Sequence, residues 1–532
     1  MQECRIPRTF QRETQVQQGH HRALRHPAAL RHAGVPVRVS PFDMNLGQTI
    51  RHGVKWTFLG NTGSHVLQFL FGIALARLLV PADFGALVTV QAFTGFVGML
   101  AAGGLGQSLI RAKEIATDEF NAVFTLQLLM GTLIYAAFYL LAPLVGSYFD
   151  NALYTDLLRV TAISFVIRPF ASIRFAWLNR HMLFDKRAII ELSVGLLTGI
   201  VSVAMAWTGM GVWSLVFSGI VGAFATNVLL SFIVPLHLRL RWQVETVRKH
   251  SRFGVKITLA ELISYIRAQA VYLMISKSSG PVDLGLLTRA ESLARLPNRF
   301  ITPATGPVVF RAMSKVQEDL DQTKYLFYRT ITLLSVYISP LLVGVLWLAE
   351  PLVHVLYGPK WMQAVVPVQI MAVAGFVLPI GRPASLVLQA QNRIGSEMVA
   401  QTGALVFAVV TCFFALRWGL EGVAWTIVAT HVLTMGWLYV LAQGLLRSRW
   451  RDLLRALRPA IVLNALLTAA LAAAHLVLAP YKEAAPLVYL VGMTAVGAAV
   501  YAPAFLFLPV AGIESEAARW RSAMLALRRR FA

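Results

Sequence analysis

Two stretches in the middle of the chain carry charge inside otherwise apolar sequence. "FGVKITLAELISYIRAQAVYLMIS" (253–276) holds Lys256, Glu261 and Arg267, and "GLLTRAESLARLPNRFITPATGPVV" (285–309) holds Arg289, Glu291, Arg295 and Arg299. Arg382 and Glu397 follow farther on. Glu291, Arg295 and Arg299 are spaced i, i+4, i+8, which places them on one helix face and lets Glu291 pair with Arg295. Lys256 and Arg267 lie about three turns apart and share a face some ~16 Å long. Guanidinium groups grip phosphate and carboxylate bidentately, so a cluster of them suits an anionic ligand. Glu261, Glu291 and Glu397 are candidates for coupling to protons or sodium, or else are salt-bridge partners of those cations. Lys256 and Arg289 either line a site or extend their heads toward the membrane surface.

The elements that must position these residues follow from composition. Hydrophobic residues make up 57% of 532 residues, charged residues only 14%, and the mean hydropathy is +0.63. A helix crosses a bilayer with ~20 mostly apolar residues because its backbone polar groups are satisfied internally. Runs of that kind fill the chain at 54–76, 84–106, 120–143, 156–178, 187–208, 212–235, 253–275, 284–311, 326–349, 362–388, 395–416, 420–445, 459–479 and 484–508. The fold class expected is an all-α polytopic membrane protein of about fourteen transmembrane helices. A charge at mid-bilayer costs at least ~2.5–3.5 kcal/mol, so several on neighbouring spans imply a shared wet cavity. Pro297, Pro303 and Pro307 are expected to break the span that carries the arginines.

The net charge of +23 is mostly topological. With the end before the first span inside, segments on that side from residue 44 onward, taken with the span ends that adjoin them, hold 28 Lys/Arg. The opposite loops and their adjoining span ends hold six: Arg77, Arg159, Lys277, Lys360, Arg417 and Lys482. That is the positive-inside asymmetry, and it sets both termini in the cytoplasm. Basic runs such as 446–458 and the 528–530 tail suit anionic lipid headgroups, and no nucleic-acid partner is implied. Residues 1–43 are rich in Arg, His and Gln and lack the apolar core of a signal peptide. They read as a disordered or untranslated leader, with Met44 the expected start.

Short motifs recur at wide spacing. Pro81, Asp83 and Gly85 return as Pro281, Asp283 and Gly285. "RPFAS" (168–172) returns as "RPAS" (382–385), and "GMGVWSLV" (209–216) answers "GLEGVAWTIV" (419–428). Six spans separate each pair, an even number, so both copies enter the bilayer in the same direction. Two parallel six-helix bundles are expected, 44–245 and 246–446, with two further helices in 447–511 and a basic cytoplasmic tail at 512–532. The Pro-x-Asp-x-Gly turns are read as structural reversals: proline stops one helix, aspartate caps the next, glycine permits close packing.

Other chemistry is not visible. Asp319 and Asp321 spell a DxD, but in a short polar loop that reads as a solvated face. His65, His431 and His475 are isolated, and Cys4 and Cys412 form neither a disulfide framework nor a metal cluster. No cofactor, metal site or enzyme is expected.

The blocks "GVKWTFLGNTGSHVLQFLFGIALARLLVPADFGAL" (53–87), "GGLGQSLIR" (103–111), "LGLLTRAESLARLPNRF" (284–300) and "MSKVQED" (313–319) resemble the polysaccharide-transporter branch of the multidrug/oligosaccharidyl-lipid/polysaccharide flippase superfamily. The resemblance implies a V-shaped pair of bundles working by alternating access. It also implies an undecaprenyl-pyrophosphate-linked oligosaccharide as cargo, flipped across a bacterial inner membrane alongside other glycan-assembly proteins. Relatives place an acidic residue late in the seventh span, where this chain has Gln269-Ala270-Val271. A cation-coupled exporter of small molecules is the alternative within the superfamily. A membrane polymerase or ligase of glycans is disfavoured by the short loops.

Overall fold

The computed structural model describes residues 46–102, 109, 117–234, 236–243, 265–266 and 269–531. Lys256, Glu261 and Arg267 lie outside the described residues, as do the leader and Met44. The chain divides into two units, Met1–Arg51 and His52–Ala532. Of the first, only the opening residues of a helix are described, and all other described residues belong to the second.

Every regular element among the described residues is helical. The first group comprises α1 (Leu46–Leu78), α2 (Pro81–Ala102), α3 (Thr117–Tyr148), α4 (Leu153–Ala162), α5 (Ser164–Arg180), α6 (Phe184–Trp207) and α7 (Val212–Ile233). Then come α8 (269–278), α9 (Gly280–Ala294), α10 (Leu296–Lys315), α11 (Leu320–Leu356), α12 (Val365–Gly375), α13 (Leu378–Ala390), α14 (Ile394–Ala415) and α15 (Gly419–Leu445). The chain closes with α16 (Trp450–Leu478), α17 (Pro486–Phe507) and α18 (Glu514–Phe531). Among the described residues, seven helical stretches are long and apolar enough to cross a hydrocarbon core, eight with the bent α12–α13 pair counted as one span. The chain is thus a multi-pass helical membrane protein.

Three expected spans are broken rather than straight. Residues 156–178 divide at Ile163, whose N–H bonds three residues back to Val160 in a tightened turn (3.2 Å). Residues 362–388 bend by 43° between α12 and α13, where Phe376 and Val377 bond in the same tight pattern and Pro379 cannot continue the ladder. Residues 284–311 divide at Arg295, because Pro297 in the first turn of α10 offers no N–H to Leu293. The expectation that Pro303 and Pro307 would also break this span is corrected, since α10 runs helical through both positions.

Packing links the first and second helix groups most closely where α2 lies along α9. A buried cluster there joins Leu75 and Ala76 of α1, Phe84 of α2, Ile275 of α8, Leu287 of α9 and Trp361. Polar bonds reinforce the same end, that of the 78–81 turn. Trp361 Nε1 donates to the Ala76 carbonyl (2.8 Å), Lys360 Nζ to that of Leu79 (2.8 Å) and Arg77 Nε to that of Leu356 (3.1 Å). Deeper in, the hydroxyls of Thr89 on α2 and Ser276 on α8 are 2.6 Å apart and buried. In an apolar bundle, each such bond satisfies groups that hydrocarbon cannot.

The Pro-x-Asp-x-Gly copies stand at the starts of α2 and α9, and they meet. A Cβ added at Gly85 would stand 1.8 Å from the Pro281 carbonyl oxygen, and one at Gly285 would stand 1.9 Å from that of Pro81. Only glycine fits at either position. Asp83 also reaches back to its turn, its Oδ2 accepting from the Val80 N–H at 3.1 Å. The DxD has a structural explanation too: Asp319 caps α11, its Oδ1 accepting from the N–H groups of Asp321 (3.1 Å) and Gln322 (3.0 Å).

Candidate functional site

Below the α2–α9 contact lies a cavity of about 650 Å³, walled by α1, α2, α5, α8, α9, α10 and Tyr265. Among the described residues, four arginines line it: Arg168 from α5, Arg289 from α9, Arg295 at the α9–α10 break and Arg299 from α10. Glu291 is the one carboxylate among the described lining residues, which leaves three cations in excess.

The four arginines are held differently. Arg295 Nη2 pairs with Glu291 Oε1 at 2.7 Å, the i, i+4 pairing that the spacing allows. It also bonds His431 Nε2 at 2.9 Å. His431 Nδ1 lies 2.8 Å from the Ile427 carbonyl, which can only accept, so Nδ1 carries the proton and Nε2 accepts from Arg295. The second oxygen of Glu291 takes a short hydrogen bond from the Tyr272 hydroxyl. Glu291 is thereby occupied on both oxygens, and Arg295 is oriented from two sides.

Arg289 stacks over the Phe84 ring, its Cζ 4.1 Å from the centroid, and its buried Nε has no hydrogen-bond partner. A cation on an aromatic face is stabilised without being neutralised. Arg299 is exposed to the cavity and Arg168 approaches Gly98 of α2; neither has an ion-pair partner among the described residues. Three guanidinium groups with no carboxylate partner among the described residues, placed around one space, can receive an anion with several oxygens, such as a pyrophosphate.

Arg289, Glu291, Arg295 and Arg299 are therefore brought together. Arg382 and Glu397 do not line this cavity. Arg382 is exposed on α13, within electrostatic reach of Arg295 and Glu397. Glu397 accepts from Ser385 Oγ (2.5 Å) and Gln389 Nε2 (3.2 Å) near the start of α14. Arg168, Tyr272 and His431 are site residues that the sequence pattern does not single out. Arg168 is a charge near the middle of an otherwise mostly apolar span. Nothing in the spacing linked Tyr272 to Glu291 or His431 to Arg295.

The model of a family described as polysaccharide biosynthesis protein matches residues 74–366, more than half of the chain and most of the cavity's walls. The chain belongs to this family. It is 26% identical to the succinoglycan biosynthesis transport protein ExoT of Rhizobium meliloti (strain 1021), over 79% of this chain and 87% of that protein. It is 24% identical to the lipopolysaccharide biosynthesis protein WzxC of Escherichia coli (strain K12), over 66% of this chain and 72% of that protein. Among solved structures, the lipid II flippase MurJ in an inward closed conformation superposes with a TM-score of 0.68. That match covers 84% of this chain and 96% of MurJ at 12% identity, a likeness of fold.

Proposed function

We propose that this family member translocates an undecaprenyl-pyrophosphate-linked oligosaccharide, or a related polysaccharide precursor, across the bacterial inner membrane. The pathway served is exopolysaccharide or lipopolysaccharide biosynthesis. The observation that carries this reading is the excess, among the described residues, of three arginines over carboxylate in a cavity within an apolar bundle. An unpaired cation is costly there, and an anionic head group restores the balance when it enters. Arg295, fixed by Glu291 and His431, gives the site its geometry; Arg168, Arg289 and Arg299 supply the charge that binds.

Alternating access between two parallel six-helix repeats, 44–245 and 246–446, moves the head group while the lipid chain stays apolar. Matching details support the duplication. Gly211 and Gly419, in the recurring "GMG" and "GLEG" segments, share a backbone of positive φ, 54° and 61°. The breaks at Ile163 and Phe376 fall in corresponding spans. Helices α16 and α17 bring the count to about fourteen, with both termini cytoplasmic by the distribution of basic residues. Glu261 and Glu397 are the coupling-ion candidates that remain once Glu291 is given to Arg295.

The test is export in living cells. Arg168→Ala and Arg299→Ala are expected to abolish surface polysaccharide at unchanged protein abundance. Wild-type export by both variants would remove the basis for this reading. Unchanged drug susceptibility in a deletion strain separates it from the small-molecule exporter.

A further inference from the structure

A second cavity, about 580 Å³, lies beside the first, between α2, α3, α8 and Tyr265. Its walls are almost wholly apolar, with Phe93 and Phe96 on α2, Ala137 and Phe138 on α3, and Ala270 on α8 opposite. Tyr265 and Gln269 line both cavities and form the partition between them. The Tyr265 hydroxyl reaches the carbonyls of Gln91 (2.8 Å) and Ala92 (3.1 Å) on α2. A Cβ at Gly95 would stand 2.1 Å from that hydroxyl, so the missing side chain is what admits the ring.

A charged chamber and an apolar chamber thus share a wall to which, among the described residues, two side chains contribute. A head group that is covalently tied to a hydrocarbon chain can enter the first only if the chain has an apolar route beside it. Drawing the chain across a wall of arginines would strand hydrocarbon among charges and uncover buried polar groups. We infer that the apolar chamber is the seat of the isoprenoid segment nearest the pyrophosphate, with Tyr265 and Gln269 at the junction of head and chain. This rests on the proposed function. The gain is positional rather than hydrophobic, since the chain leaves one apolar medium for another and is selected by packing.

The experiment uses the purified full-length protein and two probes, inorganic pyrophosphate and undecaprenyl pyrophosphate. Ala137→Trp and Ala270→Trp fill the chamber from opposite walls, and Leu144→Trp, on α3 but not lining the chamber, is the control. Wild type and control are expected to bind undecaprenyl pyrophosphate more tightly than inorganic pyrophosphate. Both filling variants should lose about tenfold for the lipid probe and nothing for the inorganic one. Undiminished lipid-probe binding by the two filling variants overturns the inference, as does an equal loss for both probes. Displacement of the lipid probe by excess phosphatidylglycerol also overturns it, by assigning the chamber to ordinary bilayer lipid. If wild type binds both probes equally, the cationic cavity stands and the apolar seat falls. If it binds neither, the proposed function itself fails.

Discussion

Gly85 and Gly285 sit face to face across the α2–α9 crossing, each against the proline carbonyl of the other's turn. The contact is reciprocal to within 0.1 Å of the built Cβ distances, 1.8 and 1.9 Å. Such symmetry is what the proposed two-fold relation between the recurring turns requires. It also identifies where the two helix groups are closest.

Gly85→Ala and Gly285→Ala should therefore behave alike. A methyl group at either position collides with backbone, which cannot rotate away as a side chain can, so α2 and α9 must separate. Overpacking of this kind costs about 1–3 kcal/mol or more. Both variants are expected to melt several degrees below wild type by an amount that agrees between them, measured on the detergent-solubilised protein. A strong effect at one glycine and none at the other would deny the reciprocity.

Thr89 and Ser276 offer a lock. Their hydroxyl oxygens are 2.6 Å apart, which suits a disulfide between Thr89→Cys and Ser276→Cys. Oxidation of the double variant should stop export and a reductant should restore it, with each single variant insensitive. Export that continues through a complete cross-link would show that α2 and α8 do not part during transport.

Glu291 holds two partners, so its replacements should be graded. Glu291→Ala takes the carboxylate from Arg295, which keeps His431, and the acceptor from the Tyr272 hydroxyl, and should lower the melting temperature most. Glu291→Gln keeps one acceptor oxygen and should fall between. Equal stability of the two variants would contradict the pairing.

Asp319 separates a helix cap from catalysis. Asp319→Ala removes two capping bonds at about 1 kcal/mol of stability. Asp319→Asn or Asp319→Ser keeps a capping oxygen and should recover the melting temperature, while export persists in all three. Loss of export in the Asn and Ser variants at normal stability would give the DxD a chemical role.

The membrane class and the arginine-bearing span were legible because both rest on local composition and on i, i+4 spacing. The Pro-x-Asp-x-Gly copies were legible as a repeat, but their mutual contact depends on how α2 and α9 cross, which no single segment encodes. Pro297 stands in the first turn of α10, where the span divides at Arg295. Pro303 and Pro307, identical in propensity, lie within continuous α10. Arg168 does not stand out in the sequence because its immediate neighbours are apolar, and the arginines it joins come from α9 and α10. Arg382, in the matching "RPAS" segment, shares Arg168's type and motif yet is not among the residues lining the cavity.

The most direct measurement is translocation of a lipid-linked oligosaccharide by the purified protein in proteoliposomes, comparing wild type with Arg168→Gln, Arg299→Gln and the double variant. Transport should fall at least about tenfold in each single variant and be lost in the double, with the folded protein intact. Wild-type rates in the double variant would contradict the claim that the arginine cavity carries the cargo.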